Sequence, residues 1–203
     1  MTNYRLTYFD FDGGRAEPIR IAMHAAGIAF EDVRWSFSDF GENRQSLPFR
    51  AVPVLEIDGQ VFTQSLAISR FIGKRAGLYP DDELQALYCD EVLGGLEDLN
   101  HYIVQTFGLK GDAQKQARQE LVNGRLTVFV AGLADLLERG GGQYFSNRQL
   151  TIADLFMFVQ TKQLTSGILD HIPADIVHQL APSLIDHYHR VQQESIVLAY
   201  YAR

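Results

Sequence analysis

The sequence predicts a small α/β domain followed by an all-helical domain. Three observations carry this: strand-like and helix-like segments alternate up to about residue 76, a glycine- and proline-bearing stretch follows, and everything beyond it has helical periodicity. At 203 residues the chain is long enough for two small domains. The expected boundaries are 1–76, a linker at 77–83, and 84–203.

Taken in order, Tyr4–Phe9 alternates as a strand and Ala16–Ala26 has helical spacing, with Pro18 tolerated in the first turn and Gly27 closing the helix. A second strand follows at Phe30–Trp35, then a short irregular or helical stretch at Phe40–Leu47. Pro53–Ile57 and Gln60–Phe62 flank Asp58-Gly59, a two-residue hairpin signal. A helix at Ser65–Arg75 closes the first half, giving the order βαβ-α-ββα. In the second half, long helices are expected at Leu84–Phe107 and Ala113–Arg139, the latter ending at three glycines. Thr151–Thr165 is next, then shorter pieces near Ala174–Leu180 and Pro182–Gln193.

Composition narrows the function. Hydrophobic residues make up 46% and charged residues 21%, the profile of a soluble globular protein rather than a disordered or fibrous one. The net charge of −7, with no basic cluster, argues against nucleic acid or an anionic membrane as a partner. No apolar run approaches the ~20 residues that span a bilayer, and the N-terminal residues have no signal-like apolar region. The single cysteine, Cys89, rules out an intrachain disulfide and points to the cytoplasm; its apolar helical setting suggests a buried structural thiol. Arginine outnumbers lysine, which suits a small anionic ligand.

Five segments, in order, carry a specific resemblance: Tyr4-Arg-Leu-Thr-Tyr-Phe9, Gly14-Arg-Ala-Glu-Pro-Ile-Arg20, Leu47-Pro-Phe49, Val52-Pro-Val-Leu-Glu-Ile-Asp-Gly59 and Gln64-Ser-Leu-Ala-Ile68. Together they resemble the thioredoxin-like, glutathione-binding half of sigma-class (prostaglandin D synthase-like) cytosolic glutathione S-transferases. The helical half resembles the family more loosely, chiefly through Thr151-Ile-Ala-Asp154. The resemblance implies a homodimeric enzyme that takes glutathione as co-substrate and conjugates it to small hydrophobic electrophiles.

The resemblance also assigns residues. Tyr8 activates the thiol and Arg15 supports the thiolate. Phe9, Ala51, Val52, Pro53, Gln64 and Ser65 contact glutathione, with Val52-Pro53 as a cis-proline turn and Ser65 at a helix start that attracts a carboxylate. Phe40 and Arg44 stand where relatives usually place tryptophan and lysine at the glycyl end. Asp98 of the partner subunit is expected to reach the γ-glutamyl ammonium. The apolar substrate is expected against the helix at 84–107 and the C-terminal tail, with Tyr102, Phe107 and Tyr200 lining its site.

Two features depart from the family pattern. The loop Asp10-Phe-Asp-Gly-Gly14 is one residue longer and sets two acids beside an anion site. Gly94 replaces an acid of an interface cluster found in some relatives, and no histidine pair has ligand spacing, so no metal is expected. His187 and His189 are read as solvated or capping. Alternatives on the same scaffold are a glutathione-dependent isomerase or peroxidase, and a non-catalytic ligand-binding or crystallin-like protein. A disulfide reductase is disfavoured, because no Cys-X-X-Cys is present.

Overall fold

The computed structural model describes residues 2–146 and 148–203 and divides into two compact units. The first comprises the residues up to Tyr79 together with Ser195–Arg203, and the second is Pro80–Glu194.

The first unit is built on a four-stranded sheet in the order β2-β1-β3-β4. β1 (Tyr4–Phe9) runs parallel to β2 (Phe30–Trp35) and antiparallel to β3 (Val54–Ile57), which pairs antiparallel with β4 (Gln60–Thr63). Asp58 and Gly59, at φ 49° and 84°, make the tight turn of the β3–β4 hairpin, as the sequence pattern predicts. Between β1 and β2 lies α1 (Glu17–Ala25), with Ile19, Ile21, Ala22 and Met23 fully buried. The stretch read as irregular or helical, Phe40–Leu47, overlaps α2 (Phe37–Asn43), which starts three residues earlier than expected. Ser36 and Asp39 form its capping box, and the bonds from Ser36 hold the Asp39 carboxyl below its ordinary pKa. α3 (Ser65–Arg75) has the predicted bounds.

The second unit contains α4 (Glu83–Val104), α5 (Gly111–Leu121), α6 (Thr127–Arg139), α7 (Ile152–Thr165), α8 (Ile176–Leu180) and α9 (Pro182–Gln192). The single helix expected over 113–139 is interrupted by a wider π-type turn at Val122–Leu126. Gly124 weakens helical preference there, and the Thr127 hydroxyl donates to the Val122 carbonyl at 2.6 Å, across five residues. The core is centred on α7, whose Ile152, Ala153, Leu155 and Met157 are fully buried.

The sequence pattern assigned no helix to the last residues. They form α10 (Ser195–Tyr201), which packs on α1 within the first unit. The Tyr200 ring meets His24 edge-on at 5.9 Å, and the Tyr201 hydroxyl donates to Glu17 at 3.2 Å. At seven residues, α10 is too short to show a helical period on its own, so only tertiary packing reveals it.

Cys89 is fully buried, and burial pushes its thiol pKa up to about 12, as befits a structural cysteine. His187 is not solvated or capping. It is fully buried in α9, with Nε2 2.9 Å from Asp154 Oδ1. Asp154 is equally buried and accepts from the backbone amide and hydroxyl of Thr151, both at 2.7 Å, and from the Phe145 amide at 3.1 Å. The box that starts α7 therefore also anchors α9.

Candidate active site

Tyr8 lies near the C-terminal end of β1, opposite Arg34 of β2. Its side chain is only 4% exposed and makes edge contacts with Phe9 and Phe11 at 5.2 and 5.7 Å between ring centres. The chain leaves β1, crosses the loop Asp10–Gly14 and returns so that the Arg15 amide donates to the Tyr8 hydroxyl at 3.2 Å. A phenol oxygen that accepts from an amide keeps its own proton for donation, and accepting polarises that O–H. Arg15 itself is half-buried, in the turn leading into α1.

The return is possible because Gly14 adopts φ +62°, a left-handed conformation that favours glycine. The two acids of the loop are neutralised from β2. Arg34 donates to Asp12 at 3.0 Å and lies 3.9 Å from Asp10, while its Nε bonds Asp32 at 2.9 Å. Partial burial works against the Arg34 charge, but the bonds from Asp32 and Asp12 more than offset it and raise its pKa above the ordinary arginine range.

Sequence reasoning missed Arg20. It is fully buried in α1, bonding Asp32 at 2.9 Å, Glu17 at 3.3 Å and the Phe11 carbonyl at 3.3 Å. Its guanidinium lies 6.0 Å from the Tyr8 ring centre. The available signal was Glu17 and Arg20 three residues apart on an otherwise apolar helix face.

The remaining predicted positions fall into groups. Phe9 packs edge-on to Phe40 at 5.0 Å, and the Arg44 guanidinium sits over the Phe40 ring at 5.1 Å. The Val52–Pro53 bond is cis, and Val52 is buried beside the exposed Ala51. Gln64 has φ 72° and immediately precedes α3, whose first residue is the buried Ser65. Asp98 is exposed on α4. In the second unit, Tyr102 packs on Phe129 at 5.8 Å and beneath Arg125 at 5.6 Å, and Phe107 is 50% exposed. Tyr200 is instead an internal packing residue of the first unit. It is 2% exposed with no partner for its buried hydroxyl among the described residues, and burial raises its pKa.

A cleft of about 640 Å³ at the other end of β1, lined in part by Asn3, Tyr4, Glu31 and Asp58, holds none of the predicted residues. Among the described residues no cluster of three or more histidine, cysteine or acidic side chains is arranged to hold a metal. Nor is any helix among them long and apolar enough to cross a membrane.

Residues 97–203 match the glutathione S-transferase C-terminal domain, and residues 4–74 match the N-terminal domain. The chain belongs to the glutathione S-transferase family. It is 32% identical to Glutathione S-transferase 3 of Caenorhabditis elegans, over 76% of this chain and 77% of that protein. It is 31% identical to the hematopoietic prostaglandin D synthase of Homo sapiens, over 77% and 76%. The solved structure of prostaglandin synthase D of Nilaparvata lugens superimposes with a TM-score of 0.86 at 27% identity, covering 99% of this chain and 98% of that one. This transferase therefore has the family's thioredoxin-like and helical domains, and glutathione conjugation is its general activity.

Proposed function

We propose that this transferase is of the sigma type, that Tyr8 donates a hydrogen bond from its hydroxyl to the glutathione sulfur and so stabilises the thiolate left when the thiol proton passes to solvent, and that this thiolate attacks a small hydrophobic electrophile. The carrying observation is the Arg15 amide donating to the Tyr8 oxygen at 3.2 Å, since a phenol oxygen that accepts in this way still carries a proton it can donate. A free thiol of this kind has a pKa of about 8.5, and each unit by which the site lowers it represents about 1.4 kcal/mol of preference for the thiolate. In conjugation the sulfur lone pair forms a C–S bond, and the pair it displaces leaves with the departing group or, in an addition, moves to the atom next to the attacked carbon, which takes up a proton.

Binding would follow the chemistry of the tripeptide. The amides at the start of α3, with Ser65, suit the γ-glutamyl carboxylate. The extended backbone of Ala51, just ahead of Val52, suits strand-like pairing with the cysteinyl part. Arg44 over Phe40 suits the glycyl carboxylate. Asp98 would act from the partner subunit of a homodimer, Tyr102 and Phe107 are the candidates for the apolar site, and the buried single thiol fits a reducing cytoplasm. A second reading, isomerisation of a substrate by the same thiolate, is favoured by the 31% identity to a prostaglandin D synthase.

The deciding experiment is the ultraviolet absorbance of bound glutathione thiolate across pH, in the wild type and in Tyr8→Phe. The expected result is a thiolate forming well below the solution pKa in the wild type and shifting upward in the variant. Equal titrations in the two proteins would overturn the assignment of Tyr8.

A further inference from the structure

The loop Asp10–Gly14 delivers Arg15, whose amide meets Tyr8, yet its own composition gives it little reason to hold one shape. Asp10, Phe11 and Asp12 are exposed, and Gly13 and Gly14 adopt φ 124° and 62°. Such a segment samples many conformations unless something outside it fixes them. Two handles do so. One is the Phe11 carbonyl, which accepts from Arg20 Nη1 at 3.3 Å. The other is the Asp12 carboxylate, which accepts from Arg34 Nη1 at 3.0 Å.

Both arginines are held by one carboxylate. Asp32 Oδ1 accepts from Arg20 Nε at 2.9 Å, and Asp32 Oδ2 accepts from Arg34 Nε at 2.9 Å. Asp32 lies on β2 opposite Leu6, so it is fixed to the same sheet that carries Tyr8. The charge-assisted bonds on its two oxygens tie both loop handles to that sheet. From these contacts we infer that Asp32 is a positioning residue for thiol activation: through Arg20 and Arg34 it sets the loop so that the Arg15 amide stays on the Tyr8 oxygen.

This inference rests on the reading of Tyr8 as the activating group, and Asp32→Asn in the full-length chain separates the two. Asparagine keeps the size of aspartate but turns an N–H toward one guanidinium, so at least one arginine is released. Three quantities are measured: hydrogen exchange of the Arg15 amide without ligand, the apparent pKa of bound glutathione thiol, and the thermal melt. The expected result is Arg15 exchange faster by about tenfold and a thiol pKa raised by about half a unit or more, with kcat falling more than KM for glutathione rises. A lower melting temperature with unchanged Arg15 exchange and unchanged thiol pKa would overturn the inference, leaving Asp32 as a brace of the sheet.

If Asp32→Asn does not fold, Arg34→Gln takes its place, since that side chain is 28% exposed and its loss frees the Asp12 handle and the weaker Asp10 contact while leaving Arg20 on the Phe11 carbonyl. The same shifts, smaller, are expected, and their absence counts against Asp32 equally. A wild type with no depressed thiol pKa instead sinks the Tyr8 reading, and Arg15 exchange alone then decides whether Asp32 sets the loop.

Discussion

Gly14 lies directly against the phenol of Tyr8: a β-carbon at this position would stand 2.6 Å from the hydroxyl oxygen and 3.0 Å from a ring carbon. That is closer than van der Waals contact allows, so any side chain must displace either the tyrosine or the loop. The glycine sits at φ +62°, where an L-residue is strained as well.

Gly14→Ala should therefore reduce conjugation far more than stability. The backbone penalty is about 1–2 kcal/mol. The loss of a positioned donor to a developing thiolate costs roughly a hundredfold or more in kcat. Steady-state kinetics with a chlorodinitrobenzene electrophile, set beside a thermal melt, checks this. Activity that falls only in proportion to the folded fraction would contradict the geometry.

Arg44→Ala is expected to weaken glutathione binding by about tenfold, because it removes the cation over Phe40 proposed to hold the glycyl carboxylate. Arg44 is exposed, so the melting temperature should hardly move, and the difference from the wild type should shrink as salt is added. Equal affinities at low salt, measured by calorimetry, would remove Arg44 from the site.

How much of this was legible beforehand follows from where the information resides. The strands, α3 and the Asp58-Gly59 turn were readable because periodicity and turn chemistry are local. Tyr8, Ser65 and Val52-Pro53 were singled out through motifs that resemble the family, and of these the cis bond at Val52-Pro53 is present in the fold. Arg20, Asp32 and Arg34 were not. Each looks like an ordinary charged residue of a helix or strand, and only the pairing of β1 with β2, for Asp32 and Arg34, and the packing of α1, for Arg20, bring them to the loop. His187 was misread for the same reason: its partner Asp154 is 33 residues away, and burial cannot be inferred from a histidine flanked by polar neighbours.

Asp154→Ala should be among the most damaging single substitutions in the second unit. It removes a buried carboxylate that bonds the Thr151 amide and hydroxyl, the Phe145 amide and His187, leaving those groups without it in the core. Breaking a buried charged network of this kind costs about 3–5 kcal/mol. For a chain of this size that corresponds to a melting temperature lower by roughly 6–20 °C. The glutathione KM of the protein that remains folded should be unchanged. A melt within 2 °C of the wild type, roughly the effect of under 1 kcal/mol, would refute the structural role.

Cys89 gives the chain a pH dependence whose sign can be worked out. Its thiol has an ordinary pKa of 9.0 and is pushed up to about 12 in the folded protein, chiefly by burial. Below about pH 9 the thiol is protonated whether the chain is folded or not, and the contribution to stability is constant. Between about pH 9 and 12 the unfolded chain releases the proton while the folded chain keeps it, so stability falls as pH rises. The buried hydroxyl of Tyr200, raised in the same direction, adds to the fall. Denaturant melts from pH 8 upward should show this decline, and Cys89→Ala should flatten part of it while lowering stability at neutral pH through the cavity it leaves. In the native protein at pH 8 the thiol should resist an aromatic disulfide reagent and react fully once guanidinium unfolds the chain. Rapid reaction without denaturant would mean that Cys89 is accessible and that burial does not set its pKa.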